Sequence, residues 1–102
     1  MSDYALPKQF DRLIHQPSRL AIMAVLAGCE SAEFTYLLQA TKLNKGTLSK
    51  HLTNLEGAGY IEIIKIFKGR YPNTSAKLTP EGRKAFEKYR KQYRAFSKAM
   101  GE

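Results

Sequence analysis

Apolar positions along this 102-residue chain recur with changing period, and the changes divide it into elements. Phe10, Leu13 and Ile14 form a short helical stripe that His15-Gln16-Pro17 ends. Residues 18–27 are apolar on most sides (Leu20, Ile22, Met23, Val25, Leu26), the pattern of a central buried helix, and Gly28 stops it. Phe34-Thr35-Tyr36-Leu37-Leu38 begins another helix, and Lys42-Leu43-Asn44 is a tight connection with Asn44 placed as the next N-cap. In the helix that starts at Lys45, Leu48, Leu52 and Leu55 fall at i, i+4 and i+7 on one face. Gly59 sits where a left-handed C-terminal cap is expected.

The pattern then changes. Residues 60–67 alternate imperfectly but are β-branched and aromatic, which predicts a strand. Lys68-Gly69-Arg70-Tyr71-Pro72-Asn73 has the composition of a turn, with Tyr71 and Pro72 shaping the loop, and residues 74–78 return as a second strand. Thr79-Pro80-Glu81 starts a long helix with a capping threonine, a proline at the first helical position and an acid in the first turn. Helices joined by a tight turn and followed by a basic hairpin predict a mainly α chain with a small β-hairpin: a winged helix-turn-helix with a long C-terminal dimerisation helix. The whole chain, 1–102, reads as one domain, with an N-terminal helical segment at 1–16, the winged helix-turn-helix at 17–79 and the dimerisation helix at 80–102.

Length allows one domain and no more. With 43% hydrophobic and 25% charged residues the chain has the composition of a globular protein. No apolar run approaches a membrane span, the N-terminus lacks a signal pattern, and the single cysteine, Cys29, excludes an internal disulfide and a paired-cysteine metal clamp. A cytoplasmic protein without cofactor or metal is expected. Charge changes the picture more. The formal net charge is +8, divided as −1 over residues 1–34, +5 over 35–78 and +4 over 79–102. An excess confined to two regions points to a polyanionic partner.

Candidate chemistry follows the same division. On a helical projection Gly46, Thr47, Lys50, Thr53 and Asn54 point away from the leucine stripe, with Ser49 and His51 on the flanks. Lysine can reach phosphate or guanine O6 and N7, asparagine pairs with adenine, and threonine serves either role. Gly46 lets backbone N–H groups approach a phosphate at the helix N-terminus. At the hairpin, Lys65, Lys68, Arg70 and Asn73 suit the sugar-phosphate backbone or the minor groove, although a charged edge also deters strand aggregation. In the last helix Phe86, Tyr89, Tyr93, Phe96 and Met100 are spaced 3, 4, 3, 4, a heptad seam longer than its own domain can cover. It predicts a homodimer, assisted by the segment around Tyr4, Leu6 and Phe10.

Other function classes fit less well. His15, His51, Cys29 and nine scattered carboxylates show no nucleophile–base spacing and no phosphate loop, which excludes an enzyme. An RNA binder lacks exposed aromatic clusters outside the seams. The alternative is a winged-helix protein-interaction module with only non-specific nucleic-acid affinity, against which Lys45, Lys50, Lys68 and Arg70 argue.

The segments "PSRLAIMAVL", "FTYLLQATKLNKGTLSKHLTNLEGAGYIEI", "FKGRYPNT" and "LTPEGRKAFEKY" carry a resemblance over most of the chain from Phe10 to Tyr93. Together they resemble the small winged helix DNA-binding domain regulators related to the MarR and ArsR groups. The resemblance implies a dimeric transcription factor that reads double-stranded DNA with the helix at 45–58 and touches it with a wing at 68–73. It carries recognition roles onto Lys45, Thr47, Ser49, Lys50 and Asn54. The metal box of the ArsR group is absent from "FTYLLQATK", so metal sensing there is not expected. A small-molecule effector is compatible with the MarR resemblance, but no residue supports one in a chain this short.

Overall fold

The computed structural model describes residues 10–101. The element order is α1 (Pro17–Ala27), β1 (Ala32–Glu33), α2 (Phe34–Thr41), α3 (Lys45–Gly57), β2 (Ile61–Lys68), β3 (Tyr71–Leu78) and α4 (Pro80–Ala99). The three strands form one antiparallel sheet in the order β1-β3-β2. This is the winged helix fold, and α2, the three-residue turn and α3 are its helix-turn-helix.

Local sequence accounts for most boundaries. Pro17 opens α1 behind Gln16, whose side chain accepts from the Arg19 N–H. Asn44 caps α3 as expected, its Oδ1 accepting from the Thr47 N–H at 2.8 Å. That bond satisfies one of the free donors of the first turn. Lys42 ends α2 in the left-handed region (φ 61°), so the chain reverses within Lys42-Leu43-Asn44. Gly59 has φ +80° just past the end of α3, the backbone a left-handed cap requires. Thr79 caps α4, with its Oγ1 accepting from the Gly82 N–H and donating to the Gly59 carbonyl.

Two expectations are corrected, and one element is new. Residues 10–16 are a turn and not a helix: Asp11 caps a single turn, its carboxylate accepting from the N–H groups of Leu13 and Ile14 and its carbonyl from that of His15, but Pro17 has no N–H to carry the ladder on, and the Leu13 carbonyl accepts from Arg19 Nε instead. Tyr4 and Leu6 lie outside the described residues. The hairpin turn is two residues, Gly69-Arg70, and not six, so Tyr71, Pro72 and Asn73 belong to β3 opposite Lys68, Phe67 and Ile66. Gly69, at φ +64°, supplies the positive dihedral that such two-residue turns need. Finally, β1 went unforeseen: it is two residues long and exists only through pairing with Ser75 and Ala76.

The core gathers Ile22, Met23 and Leu26 of α1, Leu37 of α2, the Leu48, Leu52 and Leu55 stripe of α3, Ile61, Ala76 and Leu78 of the sheet, and Phe86 and Tyr89 of α4. Each helix contributes one stripe, so α3 is held by its leucines with its other side outward. No buried side-chain polar atom among the described residues lacks a partner.

Candidate nucleic-acid interface

Burial of the leucine stripe decides what α3 presents. Lys45, Gly46, Ser49, Lys50, Thr53 and Asn54 are exposed, and Thr47 is half-buried beside the cap. The side chains of Lys45, Ser49, Lys50 and Asn54 have no hydrogen-bond or ion-pair partner among the described residues. The Thr53 hydroxyl donates back to the Ser49 carbonyl at 3.0 Å, which leaves its oxygen and methyl facing out. Packing does not demand a glycine at 46, since an added Cβ would meet only Asn44 Oδ1 at 3.7 Å. What the glycine does is leave the first turn bare. His51 turns inward instead. Its Nδ1 lies 3.3 Å from Arg19 Nη1, and burial, then the charges of Arg19 and Lys50, hold its pKa below the ordinary value. It joins α3 to α1 rather than facing a partner.

Between α3 and the hairpin runs a groove of about 480 Å³. Ser49, Leu52 and Thr53 line one wall, while Ile63, Lys65, Pro72 and Thr74 line the other. The register explains the second wall: Ile63, Lys65 and Phe67 alternate onto one face of β2, opposite Ala76, Thr74 and Pro72. Lys65 therefore projects on the side of the hairpin that faces α3. Thr35, in the first turn of α2, also reaches this groove. Sequence reasoning missed Thr35, and no pattern in the chain marks it.

The wing residues separate into two pairs. Arg70 in the turn and Lys65 are exposed and unpaired among the described residues. Lys68 Nζ sits 3.1 Å from Glu33 Oε1 across the sheet. Lys68, then a hydrogen bond from Asn73, hold the Glu33 carboxyl below its usual range. Lys68 and Asn73 thus also tie β1 to the hairpin. Lys68 offsets the one carboxylate that borders the groove.

The heptad seam of α4 is also divided. Phe86 and Tyr89 are buried in the chain's own core, which removes them from the dimer face expected of them. Tyr89 OH lies 2.6 Å from His15 Nδ1, and burial, then Tyr93, raise the phenol's pKa. Phe96 is half-buried against Phe10, their ring centroids 6.0 Å apart. Tyr93 and Met100 remain exposed, at 47% and 41%. Tyr93 also borders a shallow cavity of about 330 Å³ shared with Leu20, Arg90 and Arg94. Spacing gave the face of the seam but not its depth. No helix among the described residues is long and apolar enough to cross a membrane.

Known proteins share this fold. The winged helix DNA-binding domain family profile matches residues 18–96, from α1 through most of α4. An uncharacterized protein of Methanocaldococcus jannaschii is 39% identical over 79 residues, 76% of this chain and 85% of that protein. Among solved structures, a transcriptional regulator homologue of Pyrococcus horikoshii superposes with a TM-score of 0.83 at 24% identity, over 88% of this chain and 89% of its own. The transcriptional repressor CouR, bound to a 23-mer DNA duplex, superposes with a TM-score of 0.69 at 17% identity, over 79% of this chain and 56% of its own. MarR-family regulators share the fold as well.

Proposed function

Because the chain belongs to the winged helix DNA-binding domain family, a family of regulators and not of enzymes, we propose that it is a dimeric, sequence-specific transcriptional regulator of double-stranded DNA. The observation that carries this reading is the outward side of α3, where two lysines, a serine and an asparagine stand exposed without partners among the described residues. In the major groove Lys50 and Asn54 suit base edges, and the hydroxyls of Thr47, Ser49 and Thr53 suit either bases or phosphates. Lys45 and the bare first turn at Gly46 suit a phosphate, which the helix dipole also favours. Lys65 and Arg70 supply the wing's positive charge, with Lys68 and Asn73 holding the wing in place. CouR, which shares the fold, is bound to a DNA duplex, and this supports DNA as the partner by likeness of fold.

Dimerisation rests on the exposed outer half of α4. Tyr93 and the uncovered edge of Phe96 lie beyond the core on a 20-residue helix, and Met100 caps its end. A two-fold contact there would cover them and present two α3 helices to half-sites about one helical turn apart. A regulator acting on DNA in this way works in the cytoplasm.

Fluorescence anisotropy tests the proposal. One duplex carries the region upstream of the protein's own gene and the other a shuffled sequence of equal length, each at low and near-physiological salt. Preference for the upstream duplex that survives added salt is the expected result. Equal binding that vanishes with salt would leave only a basic surface.

A further inference from the structure

The wing does not end in charge alone. Phe67 and Tyr71 are 75% and 77% exposed, and Ile66 is 48% exposed. The register separates them: Phe67 stands opposite Pro72, while Ile66 and Tyr71 lie on the other face with Asn73 and Lys68. The Phe67–Pro72 pair continues the face that lines the α3 groove, one step beyond the Lys65–Thr74 pair. Pro72 also lies where β3 has outrun β1, whose pairing stops at Ser75. An exposed aromatic ring paired with a proline, bracketed by Lys65 and Arg70, is a costly surface to leave in water. The turn needs only Gly69, and the sheet needs neither ring.

We infer that Phe67, backed by Pro72, is an apolar wedge that enters the DNA minor groove beside the half-site read by α3 and partly unstacks one base step. The inference rests on the DNA-binding reading above and adds the mode of wing contact. Two features select a duplex as the occupant. The pair is continuous with the α3 groove, and the nearest charges unpaired among the described residues, Lys65 and Arg70, are both positive. Phenylalanine and proline are among the side chains that act as wedges between base steps, and β-ribbon tips deliver them. Unstacking is easiest at pyrimidine–purine steps, so the wedge adds a preference for such a step outside the bases that α3 touches. Tyr71 faces away and takes no part in the wedge.

Three variants of the full chain test this: Phe67→Ser, Tyr71→Ser and Arg70→Ala, each on a duplex with a fluorescent adenine analogue at the flanking step and a donor–acceptor dye pair at its ends. All three positions are exposed, and circular dichroism checks that the fold is kept. The intact chain should brighten the analogue and shorten the end-to-end distance. Phe67→Ser should abolish both changes and weaken binding about tenfold, with an unchanged salt slope because no phosphate contact is lost. Arg70→Ala should instead flatten the salt slope, and Tyr71→Ser should behave as the intact chain. If Phe67→Ser binds and brightens like the intact chain while Arg70→Ala is weakened, the wedge is refuted and the DNA-binding reading stands. If Phe67→Ser alters only the sedimentation of the free protein, the ring serves contact between copies and the wedge is refuted. If the intact chain binds no duplex, both fall together.

Discussion

Gly82 is the position at which one added methyl group should do the most damage. It sits in the first turn of α4, and a Cβ built there lies 1.9 Å from the Tyr60 carbonyl oxygen and 2.8 Å from its carbon. Both atoms are backbone, so no side chain can rotate away. Relief requires α4 and the start of the hairpin to separate by more than about 1 Å, given ordinary carbon–oxygen contact distances near 3.2 Å. That movement strains the bonds of the joint, the Thr79 N–H to the Tyr60 carbonyl (3.0 Å) and the Thr79 hydroxyl to the Gly59 carbonyl (2.6 Å). Overpacking costs about 1–3 kcal/mol, and two weakened bonds about 1–3 kcal/mol more. Alanine's helix propensity returns at most about 1 kcal/mol. Gly82→Ala should therefore lose about 1–5 kcal/mol, a large share of the roughly 5–15 kcal/mol that holds a domain together. Urea unfolding followed by circular dichroism at one fixed protein concentration measures it. Gly57→Ala is the control, because an added Cβ there meets nothing within 4 Å. It should leave stability unchanged or slightly raised. Gly82→Ala within about 0.5 kcal/mol of the native chain would refute the reasoning, since surface-like substitutions fall in that range.

Three further outcomes are expected. Tyr60 donates its hydroxyl to the Asp11 carboxylate, and that bond, then burial, push its pKa up to about 12 from 10.0. Because the folded value lies above the unfolded one, its contribution to stability is complete below pH 10 and is lost as pH rises through about 12. Phenolate absorbance should show a late step near pH 12 that Tyr60→Phe removes, and a step that persists in that variant would reject the assignment. Asn44→Ala should destabilise the domain by about 0.5–2 kcal/mol in the same urea assay, by freeing the Thr47 N–H; no change would mean that water caps the helix equally well. Arg70→Ala should weaken binding to all duplexes alike and lower the salt slope by about 1, whereas Lys68→Ala should do less because Lys68 is already paired with Glu33. Equal slopes for the two variants would contradict the division of the wing.

What could be read from the residues, and what could not, follows the range of the interactions. The Asn44 cap, the Leu48–Leu52–Leu55 stripe, Gly59 and the Thr79-Pro80-Glu81 start are signals a few residues long, and the structure reproduces each. The outward side of α3 was legible for the same reason, because burying one stripe exposes the rest. The stripe misled at residues 10–16, where it suggested a helix but Pro17, with no N–H to continue the ladder, stops the Asp11-capped turn at once. Interactions between distant positions were out of reach. β1 exists only against β3, and Lys68 finds Glu33 across 35 positions, so neither leaves a periodic trace. The seam of α4 shows the remaining limit. Its spacing gave the correct face, yet which turns meet the core depends on where α4 crosses α1, and Phe86 and Tyr89 fall inside that crossing.

The central claim is that the outward side of α3 reads base edges. Selection from a randomised duplex library, run in parallel on the intact chain and on Lys50→Ala and Asn54→Ala, tests it most directly. The intact chain should enrich an inverted repeat with half-sites about one helical turn apart. Each variant should relax one symmetric base pair in both half-sites, with a loss of about 1–3 kcal/mol on the original site. No enriched motif, or the same motif at full strength in both variants, would contradict the account.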